Sequence, residues 1–231
     1  MPLTWPLSGA LSLRALLLPA LAAGLAAGLA AGALQQMFLV PLILQAKSIE
    51  VAAGTDHSNE WEPQAGLERI IYGLAFNCLG AVGFALLLTA CYAVRGPVTW
   101  RQGLIWGLGG YVSFALAPAL GLMPELPGAH AADLGARQLW WILTAVATAG
   151  GLACVIFLRG WGPKLLGGAA LVLPHLIGAP EAVEADTSMP QQLARSFAFG
   201  SLAISLVLWL MLGALTAVLI KRRGKSSGAR R

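Results

Sequence analysis

The sequence predicts an all-α, polytopic membrane protein with six transmembrane helices paired as three helical-hairpin repeats. Three observations carry that expectation. Of the 231 residues, 58% are hydrophobic and only 11% are charged, against about 25% charged in a soluble domain. The apolar residues gather in long uncharged runs, each close to the ~20 residues that a helix needs to cross the hydrocarbon core. The charges between the runs are sorted by sign from one gap to the next.

The first run, Leu16 to Leu44, predicts a helix over 16–44. Gly24, Gly28 and Gly32 fall four apart with Ala23, Ala27 and Ala31 beside them, so one face is nearly bare backbone on which another helix can lie. Gln35 and Gln36 follow. Amides at that depth either hydrogen-bond a neighbouring helix or line a wet cavity. Arg14 ahead of an Ala/Gly-rich stretch resembles a secretory leader, but the run is too long and no polar region follows its small residues. A retained helix is expected.

Five further runs follow: Ile70–Val94, Gln102–Pro124, Gln138–Leu158, Leu165–Pro180 and Ser196–Ile220. They predict helices over 69–94, 102–120, 137–158, 163–179 and 196–220, with a basic tail over 221–231. The fifth run is short, and it spans only by recruiting Trp161 to Pro163 while Lys164 snorkels to the interface. Five helices are the alternative if it does not span.

Charge placement favours six. One side then receives Arg14, Arg95, Arg101, Arg159, Lys164 and the six basic residues of the tail, eleven in all, and the other receives only Lys47, Arg69, Arg137 and Arg195. This is the positive-inside pattern, with both termini cytoplasmic. All ten acidic residues fall on the outer side. Leaving out the fifth helix would put the basic tail on that outer face. The hairpin repeat rests on a shared layout. Each odd helix has a proline near its outer end (Pro41, Pro118, Pro174), and each even helix closes on Arg-Gly (Arg95-Gly96, Arg159-Gly160, Arg223-Gly224). All three hairpins point the same way, as parallel repeats do.

Composition also narrows the function. Cys78, Cys91 and Cys154 sit singly inside apolar runs, with no CxxC spacing, and read as small buried hydrophobes. Six of the fifteen basic residues crowd the last eleven positions, a membrane-surface anchor and no nucleic-acid site. The sequence has no GxxxxGK[ST] phosphate loop, no HExxH and no GxSxG, so no enzyme is expected and no resident cofactor. The polar residues near the outer side suit a cation instead. Imidazole with carboxylate favours a divalent transition ion. Candidate metal ligands are His175, beside the helix-disturbing Pro174, with His130, Glu125, Asp133 and Glu181; His57 reads as an exposed loop histidine. Gln35, Gln36, Asn77, Ser113, Thr144 and Ser201 lie at comparable depth. They form either a polar ring around a vestibule or a set of interhelical hydrogen bonds.

Four segments are familiar: QQMFLVPLILQAKSIE, EWEPQAGLER, LAPALGLMPELPGAHAADLGARQLWW and LPHLIGAP. From about Leu16 to Ile220 the chain resembles the CbtA family, bacterial membrane proteins proposed as cobalt transporter subunits. Gln35, Gln36, Glu125, His175 and Pro180 are family-like positions. The resemblance implies cobalamin-associated transport of Co2+ across the bacterial inner membrane, and a small one-helix partner, CbtB, with a histidine-rich end. The family is often described with five helices, against the six expected from charge. The expected function is a permease or permease subunit for cobalt, or nickel, driven by the membrane potential. The alternative is a non-transporting scaffold whose Gly24–Gly32 stripe docks the one-helix partner. Assembly into a homo-oligomer is compatible with either.

Overall fold

A computed structural model describes residues 13–53, 63, 64, 66–96, 98–126, 132–181 and 189–228, and among these every regular element is helical. In chain order these are α1 (Leu13–Phe38), α2 (Val40–Ala53), α3 (Leu67–Arg95), α4 (Trp100–Tyr111), a π-turn (Val112–Leu116), α5 (Ala117–Ala119), α6 (Leu134–Phe157), α7 (Trp161–Ile177) and α8 (Gln191–Gly228). Four stretches are long and apolar enough to cross a membrane: Leu16–Phe38, Leu67–Arg95, Leu134–Phe157 and Gln191–Arg222. The chain therefore has the build of a multi-pass membrane protein. The other two expected crossings are less regular. α4, the π-turn and α5 form one interrupted rod, and α7 has 17 residues.

Local chemistry explains the interruptions. The expected 16–44 helix breaks at Leu39, because Pro41 has no N–H to give the Met37 carbonyl. The helix resumes at once, with Ile43 N–H bonded to the Leu39 carbonyl at 3.0 Å, and runs on to Ala53. Pro118 likewise leaves the Phe114 carbonyl without its usual donor, and the turn before it widens until Ala117 N–H reaches Val112 O. At the far end of this rod, Thr99 and Gln102 form a reciprocal capping box. Gly96 ends α3 and Gly160 leads into α7, with φ of 101° each, a conformation open chiefly to glycine.

Glycine also decides which helices touch. α1 and α3 run antiparallel, and a Cβ at Gly24 or Gly28 would stand 2.5 Å from Val82 Cα and 2.6 Å from Cys78 Cα. Ala20, Ala23, Ala27 and Ala31 are buried along the same helix. α4 crosses α8 where Gly103 and Gly107 meet Gly213 and the Trp209 carbonyl, and α6 crosses α7 where Gly151 and Gly167 face each other's carbonyls. α8 is the hub, packing on α4, α1 and α3.

Two expectations are corrected here. The rods pair first with second, third with sixth and fourth with fifth, and α7 has no substantial packing on α8. The third hairpin of the proposed repeat is thus not packed as a pair, whereas the second is, through α6 on the π-turn and α5, although its closest glycine approaches lie elsewhere. The third Arg-Gly, Arg223-Gly224, lies inside α8 and closes nothing. Second, the Gly24–Gly32 stripe is occupied by α3 of the same chain, so no partner helix can dock there while this packing holds.

The interior between the rods is aromatic. Trp209 stacks on Phe114 at 5.4 Å and meets Phe84 at 4.6 Å between ring centroids. Toward the Arg95 end, Tyr92 meets Trp106 at 5.8 Å and Trp106 stacks on Phe157 at 5.7 Å. Tyr92 donates its hydroxyl proton to the Gly213 carbonyl at 3.1 Å, which ties α3 to the α4–α8 crossing.

Candidate functional site

The described carboxylates, Glu50, Glu68, Glu125, Asp133 and Glu181, all stand at one end of the bundle, at or beyond helix ends. That end is knitted together by Ala46 of α2, Leu126 after α5 and Leu193 of α8, which share one apolar cluster. Two of the candidate ligands there already have partners. Glu125 accepts a hydrogen bond from Arg137 Nη2 at 2.9 Å, and Asp133 caps α6 by accepting from Ala136 N–H at 2.9 Å. Both are local consequences of sequence: an aspartate just before a helix serves its free N–H groups, and the arginine one turn on reaches back to the loop. Glu181 is exposed. His130, His57, Glu184 and Asp186 lie outside the described residues. Among the described residues, no three of His, Cys, Asp and Glu come close enough together to hold a metal ion.

His175 lies one residue past Pro174, half-buried, with its ring edge-on to Trp140 of α6 at 6.1 Å. Trp140 is itself packed against Gly121, which leaves no room there for a side chain. The indole Nε1 of Trp140 is buried without a hydrogen-bond partner. In the sequence His175 is marked by its Pro174 neighbour, whereas Trp140 is marked only by its four-residue spacing with Thr144 and Thr148.

Of the residues in the expected polar ring, three come together. Asn77 donates to Gln35 Oε1 at 2.8 Å and to the Gly73 carbonyl at 2.8 Å, and Gln36 Nε2 lies over Gly73, so these three residues join α1 to α3. Ser113 is buried in the π-turn, and Thr144 is buried on α6, against which that turn packs. Ser201 is half-buried on α8, next to the Gly200 that meets Leu39. The Gln35–Asn77 bond sets a measurable value. Asn77→Leu is expected to lower stability in detergent by about 0.6 kcal/mol and at most about 2, the range for interhelical side-chain bonds in membranes. Thermal unfolding of the purified variant measures it.

At the opposite end, three cations lie over aromatic rings: Arg95 over Phe157 at 5.2 Å, Arg101 over Trp100 at 5.4 Å and Lys164 over Trp161 at 5.7 Å. Aromatic rings paired with basic heads suit the headgroup level of a bilayer. The molecule thus has an acidic end and a basic, aromatic end.

A family model described as "Probable cobalt transporter subunit (CbtA)" matches residues 13–221 of the chain. No curated protein and no solved structure matches it.

Proposed function

The chain belongs to the CbtA family, probable cobalt transporter subunits, and from that premise we propose that it is the membrane permease, or the membrane half of one, for uptake of cobalt or a related divalent ion. The observation that carries the reading beyond the family is the separation of charge. The described carboxylates are at one end and the cation–aromatic pairs at the other. In the bacterial inner membrane, the positive-inside rule turns the basic end and both termini to the cytoplasm and the acidic end outward. All six rods cross in this reading. Trp100–Ala119 is about 30 Å long and α7 about 26 Å at 1.5 Å per residue, the latter extended by Lys164 reaching the interface.

An acidic mouth raises the local concentration of cations before any of them binds. His175, His130, Glu125, Asp133 and Glu181 then meet the ion in succession, since no three of the described ones are close enough to hold it at once, with Glu125 exchanging Arg137 for the metal and His175 supplying nitrogen. Gln35, Gln36, Asn77, Ser113, Thr144 and Ser201 supply neutral polar groups further in. The word "subunit" in the family description favours a partner, and a one-helix CbtB-like protein would sit on a lipid-facing surface other than the filled glycine stripe.

Cobalt uptake by cells expressing the chain together with a one-helix CbtB-like protein tests this. Expression should raise uptake over cells lacking the chain, and equal uptake would end the permease reading. His175→Ala should lower uptake about fivefold, the worth of one ~1 kcal/mol contact. Unchanged uptake in that variant takes His175 out of the path.

A further inference from the structure

The packing divides the described helices into two groups. α1, α3, α4 and α8 pack on one another, whereas α7 packs on α6 alone, and α6 meets the rest through the interrupted rod of α4, the π-turn and α5. α6 carries Trp140, Thr144 and Thr148 four residues apart and therefore in one line on the helix, a line that starts at the seam, where Trp140 touches both His175 of α7 and Gly121 after α5. The three are 8%, 0% and 1% exposed, and Trp140 Nε1, Thr144 Oγ1 and Thr148 Oγ1 all lack a hydrogen-bond partner. A helical threonine in an apolar setting ordinarily returns its proton to the carbonyl one turn back, as Thr89 does to Ala85 O at 2.8 Å. Thr144 and Thr148 do not. A permanently dry seam would be better served by valine or alanine, because an unpaired buried hydroxyl is costly.

The element packed on α6 beside this line is itself irregular. The π-turn holds Ser113, 2% exposed, and packs on α6, where Phe114 meets Trp141 at 6.1 Å. π-turns inside α-helical rods concentrate at functional positions, and Pro118 leaves the Phe114 carbonyl without its helical donor. Glycine contacts at Gly151 and Gly167 bind α7 to α6 closely enough for the two to move as one.

We propose that this seam is the route across the membrane: the α6–α7 pair swings away about the π-turn, and Trp140, Thr144, Thr148 and Ser113 then line a water-filled path for a hydrated divalent cation. The closed seam described here is one end of that motion. Hydroxyl oxygens accept hydrogen bonds from the water around the ion, and the orphaned groups gain partners on opening. The identity of the ion rests on the permease reading; the wetting of the seam does not.

The test starts from the full chain with Cys78, Cys91 and Cys154 replaced by alanine, reconstituted in liposomes. Thr144→Cys and Thr148→Cys are compared with Leu143→Cys and Val146→Cys, lipid-facing positions on the same helix at 57% and 65% exposure. A charged, membrane-impermeant methanethiosulfonate should modify the two seam positions about tenfold faster or more, since only a hydrated thiol ionises to the reactive thiolate, and cobalt should slow it. Seam positions as inert as the lipid-facing ones overturn the proposal. Rapid modification that cobalt does not slow, in liposomes that take up no cobalt, upholds the wet seam and sinks the cobalt reading. Should the cysteine variants fail to fold, Thr148→Val serves. It keeps the shape and removes an unpaired hydroxyl, so thermal stability should hold or rise while cobalt transport falls about fivefold, the worth of one water-bridged contact. Unchanged transport in that variant overturns the proposal as well.

Discussion

Liposomes containing this chain, given an interior-negative potential of 100 mV, are expected to accumulate cobalt roughly a thousandfold at equilibrium without ATP. A charge gains about 2.3 kcal/mol per 100 mV, so a divalent ion gains about 4.6, and every ~1.4 kcal/mol is a factor of ten. No nucleotide site is needed to reach that ratio, and the sequence carries no phosphate loop. Accumulation should follow the imposed potential and collapse when an ionophore removes it. Cobalt uptake that needs ATP, or that ignores the sign of the potential, would refute electrical driving. Uptake that appears only after a partner protein is added would keep the driving force and make this chain one half of the machine.

Gly213→Ala is expected to lower the thermal midpoint of the purified protein by roughly 6–12 °C. The added methyl would press into the carbonyl group of Gly103, which belongs to a backbone and cannot rotate aside. α8 would have to back away from α4, loosening the contacts of Gly103 and Gly107 and the Tyr92 hydroxyl bond to the Gly213 carbonyl together. Overpacking of this kind costs about 3 kcal/mol, and each kcal/mol moves the midpoint by roughly 2–4 °C in a chain of this size. Gly109→Ala, where a Cβ meets open space, is the matched control and should change little. Gly28→Leu belongs to the same class. Its side chain would collide with the backbone of Cys78 and Asn77, so it should disrupt the α1–α3 pair of this chain before it affects any partner.

These two expectations differ in how far ahead of the fold they could be read. The driving-force argument uses only charge, length and a missing motif, and each is visible along the chain. The glycine argument needs a neighbour. Gly103 and Gly107 repeat the four-residue spacing of Gly24 and Gly28, so their role in close packing was legible. Their partner on α8 was not, and the shared prolines and Arg-Gly pairs pointed to a third hairpin, α7 with α8, that is not packed as such. The same limit applies to the polar residues. Asn77 and Gln35 were recognisable as amides at matching depth, and they do meet. Glu125 and Asp133 were recognisable as outer carboxylates, but the ion pair with Arg137 and the capping of α6 that occupy them depend on how the loop returns to the helix. Trp140 and Thr148 carried no chemical label, and they stand out only because the folded chain leaves their polar atoms unpaired.

Sequence by itself determined the membrane class, the approximate positions of the rods and the sorting of acids from bases, because transfer into lipid is set residue by residue and charge needs no partner to be counted. Tertiary structure alone decided which rods lie together, where two of them break into pairs around an aromatic interior, and which hydroxyls end without a partner. Those outcomes depend on backbone-to-backbone contact across hundreds of ångströms of chain contour, where one methyl group determines whether two helices can meet.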